Sequence, residues 1–596
     1  MSGRNLFLLF ILIITFSIAV TSCKRKSKRT PADIQNFDED KMKVALKAQL
    51  ETYRKDSTYK HFYDTLSVFY TSHGFETVWL SKLDKKSSLA ILNVIDSSVF
   101  DGLNPNHYNR DNIAAMLVSY KKLKGDSLYL ILAKLELQLS NGLTTLWHDK
   151  VLGRTDPKKV LGSKYTLPFP AQFFDPLVVI QKSNGLELLS KHRPSHPDYL
   201  KLRMLLWKYI GKTEIAQTLI DTTNNRKIKP GDSSVISPLL AKRLFELGYV
   251  PDTLVGQMSL ISYDRRLSTY VQAFQKAHNI TDDGIIGKTT LKLLNESQID
   301  KINEIRANME RLRWYDAEPV KPYVKVNIPE FRLYLHYADS IGSMAVCVGK
   351  GKERLFDQKK LKYEKTKRYI DQPQNNETPQ VFSNIDHVIL NPTWTVPSSI
   401  VGREMFGKIL RDPGYLPANG YKVFSGKDEV SAYNINWKKY GPSNIPYTIR
   451  QNPGDDNSLG KIKFTFLNPF SVYLHDTPLK SKFKSVNRAV SHGCVRVEDP
   501  VRLAAFILQQ NVKTTNDDFR VMVGLSPADS ILAPKWRADT NSIKKIVTDT
   551  KPVRVENKMA VVFDYRTVVF DAEGQVHFYY DVYDKNRLIV EAMDKP

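Results

Sequence analysis

The spacing of apolar residues changes along the chain from a helical period to a strand period. Six leucines recur at intervals of four and three, which places them on one face of a helix: Leu128, Leu132, Leu135, Leu139, Leu143 and Leu146. From Tyr323 onward, segments such as VKVNI, FRLYLHY and MAVCVGK alternate or run apolar, as β-strands do. The pattern predicts a multidomain α+β protein, mainly helical first and β-rich afterwards.

A short helical module is predicted between these two parts, over residues 230–296. Its first helix carries Leu239, Leu240, Leu244 and Leu247 before Gly248, and its second carries Leu267, Val271 and Phe274. The DGIIG turn at 283–287 then leads into a third helix. The residue pattern by itself predicts three helices in this module and no binding function.

Composition shifts divide the rest of the 596 residues, a length that accommodates several domains with cores. A helical scaffold is predicted over 38–229, a helical connector over 297–322 and a β-rich domain over 323–525. Within the β-rich domain, the polar segment 352–377 is expected to be a loop, and 402–447, with its Pro and Gly turns, an insertion. Residues 526–596 are expected to form a β-rich C-terminal appendage packed on the scaffold.

The first residues predict an export signal over 1–23. Arg4 precedes the apolar run Leu6 to Val20, and VTSC then ends at Cys23. This string resembles a bacterial lipobox, in which Cys23 becomes the lipidated N-terminus; an uncleaved anchor is the alternative. Both interpretations place the following chain outside the cytoplasm. Residues 24–37 are expected to form a basic linker.

One stretch, Ser471 to Pro500, carries candidate chemistry. Cys494 is the predicted nucleophile, and a thiol attacks carbonyls as thiolate, so it needs a base or positive field that lowers its pKa. His475 and His492 are the candidate bases. Gly493 lets the neighbouring N–H groups point at a negatively charged oxygen. The alternatives are an inert thiol or a zinc site formed by Cys494, His475 and His492, although the short ligand pairs typical of zinc are missing from this stretch.

The strings HDTP and SHGCVRV resemble the active-site signature of the L,D-transpeptidases with a YkuD-type catalytic domain, which cross-link peptidoglycan. Three further strings are similar to the large YcbB-type branch: NMERLRW at 308–314, NPTWTVPSSI at 391–400 and RQNPGDDNSLGKIKF at 450–464. Residues 230–296 resemble a peptidoglycan-binding domain. The resemblance also implies that 402–447 is a mobile cap, but 352–377 exceeds the link expected before Thr378-Pro379, which leaves the residues flanking this pair in doubt as substrate contacts.

The resemblance implies a role for each residue of the site. His475 would take the Cys494 proton while the Asp476 carbonyl orients the ring, and the N–H groups of His492, Gly493 and Cys494 would bind the oxyanion. Arg496 and Arg488 would hold a stem-peptide carboxylate, with structural salt bridges as the alternative. Ser491 and Trp394 are further expected substrate contacts. Neither a metal nor a cofactor is expected.

The net charge and the cysteine content limit which binding partners and which cellular location are plausible. The net charge of +24 first suggests nucleic acid, but an exported protein more plausibly meets anionic phospholipid or stem-peptide carboxylates. The KRKSKR run at 24–29 would either lie against lipid head groups or form a solvated linker. Only Cys347 and Cys494 follow Cys23, so no disulfide framework is predicted, and Cys347 is expected in the core. The expected location is the periplasmic side of the cell envelope. An L,D-carboxypeptidase and an inactive wall-binding lipoprotein remain alternatives to the transpeptidase.

Overall fold

The computed structural model describes residues 37–55, 60–80, 85–168, 193–211, 217–221, 227–232, 236–251, 263–315, 318–538 and 546–595. The predicted export signal, Cys23 and the basic stretch 24–36 lie outside these ranges. Within them, every helix is too short or too polar to span a bilayer.

The N-terminal domain is helical and is built around one 27-residue helix. Its helices are α1 Glu39–Lys55, α2 Lys60–Ser72, α3 Lys85–Asp96, α4 Arg110–Ser119, α5 Gly125–Val151, α6 Pro157–Leu161 and α7 Pro197–Ile210, with 3₁₀ turns at Ser97–Asp101, Pro105–Tyr108, Tyr120–Lys122 and Gly162–Lys164. All six leucines of the predicted stripe on α5 are buried in this domain's core. The helical prediction for this region is confirmed, and burial of that stripe holds α5 at the centre.

Residues 236–294 form a small unit with a core of its own. The unit contains helices α8 Ser237–Glu246, α9 Arg265–Ala277 and α10 Lys288–Leu294. Leu240, Leu244, Val271 and Phe274 are buried in its core. Leu239, expected on the same face as Leu240, is 42% exposed, because successive residues on a helix point about 100° apart.

The connector is a buried helix, α11 Gln298–Trp314, that begins at a capping box between Ser297 and Asp300. Its last turn lies deep in the molecule, where Arg313 and Trp314 are fully buried. Arg313 is neutralised there by Glu310, at 2.8 Å. The helix therefore joins the domains through packing and a buried ion pair.

The strands are β1 Tyr165–Thr166, β2 Tyr323–Asn327, β3 Arg332–His336, β4 Ile341–Gly349, β5 Gly351–Lys352, β6 Asn375–Asn376, β7 Gln380–Leu390, β8 Trp394–Thr395, β9 Tyr421–Ser425, β10 Asp428–Val430, β11 Thr448–Gln451, β12 Ile462–Phe466, β13 Leu474–His475, β14 Ala489–Ser491, β15 Val495–Val497, β16 Lys551–Asp564, β17 Val568–Phe570 and β18 Val576–Phe578. The main sheet has the order β1-β7-β12-β13-β15-β4-β3-β2-β16, and β14 pairs with β4. Because β16 also pairs with β7, the sheet closes on itself. Its inner face buries an apolar core that includes Val326, Val346 and Leu474.

The segment 352–377 differs from the predicted loop. It contains helix α12 Phe356–Thr366 and a 3₁₀ turn at Tyr369–Asp371, and β5 pairs with β6 at its base. No residue of α12 is buried, so the apolar periodicity that reveals a packed helix is missing from this sequence.

The expected insertion is wider than 402–447. Strands β8 and β11 belong to its four-stranded sheet, which has the order β10-β9-β11-β8. Its helices are α13 Ser398–Ile400, a π-helical turn Val401–Met405, α14 Phe406–Arg411 and α15 Tyr415–Ala418, with 3₁₀ turns at Ala432–Asn434 and Trp437–Lys439. Val401, Ile409 and Ile449 lie in a separate core. We call residues 394–451 the cap.

The C-terminal segment, expected to be a β-rich appendage packed on the scaffold, contacts both the main sheet and the helices. After a 3₁₀ turn at Lys480–Lys484, the remaining helices are α16 Pro500–Ile507, α17 Asn516–Met522, α18 Leu532–Ala538 and α19 Lys585–Met593. Strand β16 pairs parallel with β2 and antiparallel with β7, so it completes the main sheet. Other parts pack on helices: Ile589 and Met593 of α19 lie in the core of the helical domain, and β17 and β18 pack against α7 and α11. An alternating strand pattern does not specify which sheet the strand joins.

Candidate active site

The candidate nucleophile lies where two short parallel strands meet. In the β13–β15 register Leu474 pairs with Val495 and His475 with Arg496, and the Val495 N–H donates to the Tyr473 carbonyl at 3.1 Å. Side chains alternate between the faces of a strand, and Leu474 and Val495 enter the core. The four side chains on the opposite face are therefore Tyr473, His475, Cys494 and Arg496.

The loop before β15 is held by its own hydrogen bonds. The Ser491 hydroxyl accepts from the Gly493 N–H at 3.1 Å and donates to the Cys494 carbonyl at 2.6 Å. Gly493 has φ +124°, a value that favours glycine. After β15, the Asp499 side chain caps α16 by accepting from the Arg502 N–H at 2.9 Å. Cys494 therefore lies on a short, constrained segment.

His475 is buried and oriented through its backbone neighbour. Its Nδ1 lies 2.5 Å from the Asp476 carbonyl oxygen, which assigns the proton to Nδ1 and leaves Nε2 as the acceptor. The Asp476 carboxylate in turn accepts from the Lys461 and Thr477 N–H groups and from Lys480 Nζ. Burial and the neighbouring Arg496 charge lower the pKa of His475 to about 3. The imidazole is therefore neutral at physiological pH.

The thiol environment differs from the sequence expectation of a lowered pKa. Cys494 is only partly exposed, and burial raises the pKa of its thiol despite the opposing effects of the Tyr473 hydrogen bonds and the charges of Lys463 and Arg496. Desolvation penalises the thiolate more than these partners favour it. The resting site thus pairs a protonated thiol with a neutral imidazole, which suits proton transfer during attack.

Two residues that the sequence analysis did not single out complete this face. Tyr473 lies close enough to the Cys494 thiol to lower the pKa of that thiol, and Trp394 in turn lowers the pKa of Tyr473. Lys463 Nζ lies 3.9 Å from the centroid of the Tyr473 ring. Trp394, an expected substrate contact, thus reaches the site through Tyr473. Burial lowers the pKa of Lys463. The available signal was alternation: Tyr473 is two residues before His475, and Lys463 lies between buried Ile462 and Phe464.

Arg488 and Arg496, the two expected carboxylate-binding residues, differ in how many internal hydrogen bonds they make. The Arg488 guanidinium, an expected substrate contact, donates to the carbonyls of Val346, Ser485 and Phe331, bonds that hold the start of β14 to the sheet. Arg496 forms no salt bridge within the described ranges, and its buried Nε has no hydrogen-bond partner there. Of the two, Arg496 has the charge available for a ligand.

Ser491 and the ring of His492 both have hydrogen-bond partners within the protein. Ser491, an expected substrate contact, is 2% exposed and uses its hydroxyl within the loop. His492 Nε2 lies 2.6 Å from Glu404 Oε1 of the cap, a contact that the sequence did not indicate because it joins residues 88 apart. This pair connects the nucleophile loop to the cap.

Of the three backbone N–H groups expected to bind the oxyanion, two remain available. The Gly493 N–H is already used by Ser491, whereas the N–H groups of His492 and Cys494 make no hydrogen bond in the part of the chain described. In those same ranges no group of three His, Cys, Asp or Glu side chains is arranged to hold a metal ion. The geometry is that of a thiol, a base and free backbone donors.

A thiol, a neutral imidazole and free N–H groups on one sheet face are an arrangement suited to cysteine-dependent acyl transfer. Residues 321–527 match the family model of the L,D-transpeptidase catalytic domain, YkuD, and residues 64–206 match that of a Scaffold domain. Two separate parts of the chain are thus similar to these two domains.

One relative is the protein named "Putative L,D-transpeptidase" of Haemophilus influenzae. It is 28% identical over 266 residues, which cover 44% of this chain and 44% of the relative. The chain therefore spans less than half the length of this relative.

Proposed function

We propose that this protein is a peptidoglycan L,D-transpeptidase that forms 3→3 cross-links through a cysteine thioester. The observation that carries the proposal is that β13, which ends at the neutral, carbonyl-oriented His475, pairs with β15, which Cys494 directly precedes, within the matched catalytic domain. The helical scaffold and the cap support assignment to the large YcbB-type branch. The substrate class is the peptidoglycan stem peptide.

The reaction begins with proton transfer. His475 Nε2 takes the thiol proton as Cys494 Sγ attacks the carbonyl of the third residue of a tetrapeptide stem. A C–S bond forms and the C–N bond to D-alanine breaks, with the leaving amine receiving the proton from His475. The side-chain amine of a second stem then attacks the thioester, which forms the cross-link and regenerates the thiol.

Two features support stabilisation of the transition state. The N–H groups of His492 and Cys494 are available for the developing oxyanion, and one such donor typically contributes about 3 kcal/mol to lowering the barrier. Arg496, whose Nε is unpartnered within the described ranges, is suited to a stem carboxylate. We assign the first role to backbone and the second to Arg496.

A second candidate is an L,D-carboxypeptidase, in which water replaces the acceptor amine at the same thioester. The intact thiol–imidazole pair favours both enzymes over an inactive wall-binding lipoprotein. The two enzymes differ only in the acceptor, so their products distinguish them.

The module at 230–296 and the N-terminal segment are assigned to locating the protein at the cell wall and the membrane. Residues 230–296 would bind peptidoglycan, and lipidation at Cys23 would anchor the protein at the periplasmic side of the envelope, with no nucleic-acid partner. Intact mass tests the anchor: a chain that begins at a diacylated Cys23 supports it, and a chain that retains residues 6–20 contradicts it.

The test of the reaction is incubation of the purified protein with disaccharide tetrapeptides, followed by mass spectrometry. Dimers with a 3→3 linkage are expected. Tripeptides alone would indicate the carboxypeptidase, and an unchanged substrate would contradict both. Cys494→Ser is the inactive control, and Cys347→Ser, which alters the buried thiol of the neighbouring strand, should retain activity.

A further inference from the structure

A buried ring of hydrogen bonds lies directly behind the nucleophile loop. The Tyr583 hydroxyl donates to the Gly349 carbonyl at 2.6 Å and accepts from the Thr378 N–H at 3.1 Å. The Thr378 hydroxyl accepts from the Gly349 N–H at 2.9 Å and donates to the Gly493 carbonyl at 2.8 Å. Three distant segments, at the end of β4, before β7 and near the C-terminus, therefore meet at the residue before Cys494.

This ring fixes the orientation of one peptide group. In a planar trans peptide the carbonyl and the following N–H point in opposite directions, so the Thr378 bond to the Gly493 carbonyl directs the Cys494 N–H away from Thr378. That N–H makes no hydrogen bond in the described ranges. The Gly493 N–H cannot substitute for it because Ser491 occupies it.

The ring determines how the Thr378 hydroxyl is used, and Tyr583 holds the two backbone groups beside it. Since the Gly349 N–H donates to that hydroxyl, its own proton is left for Gly493. Burial raises the pKa of Tyr583, so its hydroxyl keeps the proton that it donates to Gly349. Without the Tyr583 oxygen, the Thr378 N–H and the Gly349 carbonyl would both lose a buried partner.

The C-terminal segment holds Tyr583 firmly. The Tyr583 N–H donates to the Tyr565 hydroxyl at 2.8 Å, and that hydroxyl donates to Asp581 at 2.5 Å. Two residues later, Lys585 Nζ bonds Glu377 Oε2 at 2.9 Å, with both side chains buried. The segment thus contacts Glu377 and Thr378, two consecutive residues of the catalytic domain.

We propose that Thr378 and Tyr583 are positioning residues for acyl transfer, which hold the Gly493–Cys494 peptide so that the Cys494 N–H faces the oxyanion. The proposal rests on the proposed function in that it assumes acyl chemistry at Cys494. It gives the C-terminal segment a part in the reaction in addition to closing the sheet.

The test compares two reactions of Cys494 in the full-length protein. With p-nitrophenyl acetate, Sγ attacks the ester carbonyl, an oxyanion forms, and nitrophenolate leaves as the thioester is made. With iodoacetamide, Sγ displaces iodide from carbon without forming an oxyanion. For Tyr583→Phe and Thr378→Val we expect the first rate to fall about tenfold or more and the second to stay within about twofold.

Conservative and distant variants provide the controls. Thr378→Ser keeps the hydroxyl and should restore most of the ester reaction, which also keeps the test valid if Tyr583→Phe does not fold. Tyr579→Phe alters another hydroxyl of the same segment, 3.4 Å from Glu330, and should leave both rates unchanged. Cys494→Ser gives the background ester hydrolysis.

Unchanged ester reaction in both Tyr583→Phe and Thr378→Val would overturn the proposal, and so would an equal loss of both reactions, since that indicates only a structural role. Failure of the proposed function would appear elsewhere: stem peptides would not react although the ester reaction still depended on Thr378 and Tyr583.

Discussion

Two clusters of buried polar groups in this molecule are used in opposite ways. In the helical domain, the fully buried Glu136 carboxylate accepts from the N–H groups of Val78, Trp79 and Leu80 and from the Tyr70 hydroxyl. Around Cys494, in contrast, Arg496 Nε and the Cys494 N–H have no partner within the described ranges. A cluster in which every buried polar group has a hydrogen-bond partner contributes to stability. Donors without a partner beside the candidate nucleophile are available to a ligand.

The largest expected effect is on the acylation rate and concerns the cluster around Cys494. His475→Ala removes the proton acceptor and should lower the rate of nitrophenyl ester acylation by roughly 10²- to 10⁴-fold, while Tm changes little. Stopped-flow absorbance and thermal unfolding measure the two. His492→Ala is the matched control, because its ring bonds Glu404 in the cap, and a smaller loss is expected. A loss as large in His492→Ala as in His475→Ala would show that the base is assigned to the wrong histidine.

The next effect is on stability. Glu136→Ala leaves three N–H groups and a hydroxyl without their buried acceptor, and we expect the free energy of unfolding to fall by about 3 kcal/mol. Denaturant unfolding measures it, and Glu39→Ala, at an exposed position of the first turn of α1, is the control.

At temperatures where Glu136→Ala remains folded, its ester reaction should match that of the wild type. A slower reaction in the folded variant would show that the two clusters are coupled and would remove the contrast between them.

Lys463 should have an intermediate effect on the thiol. Its charge lowers the pKa of Cys494, so Lys463→Met should move that pKa further upward and leave less thiolate at neutral pH. The ultraviolet absorbance of the thiolate across pH, corrected with Cys494→Ser, reports the change. Lys461→Met, which removes an exposed lysine that pairs with Asp455, should leave the pKa unchanged. An equal shift in both variants would indicate a general effect of net charge.

The sequence predicted what depends on local pattern. The helical face of α5 follows from periodicity, and the candidate residues Cys494, His475 and His492 all fall in one short stretch. The sequence did not reveal Thr378, Glu404 or Tyr583 because their contacts join residues about 90 or more apart. It also gave the wrong direction for the pKa of Cys494, because burial, which raises it, is a property of the closed sheet.

The smallest expected effect is that of pH on the rate of acylation. A rate that changes little with pH indicates a resting site with a neutral thiol and a neutral imidazole, whereas a steep rise indicates reaction through a thiolate. The pKa of His475 is lowered to about 3, so the free-base form is lost only as the pH falls toward that value. The pKa of Cys494 is raised, so the thiol stays protonated through neutrality. The reactive combination of neutral thiol and neutral imidazole therefore dominates from about pH 5.5 to about pH 7.5, given the ordinary thiol pKa of about 8.5. The rate of nitrophenyl ester acylation should change by less than about threefold over this range, whereas reaction through a small thiolate fraction would rise about tenfold per unit. His475→Ala, which has lost the internal base, should show that steep rise, and a steep rise in the wild type would contradict the general-base assignment.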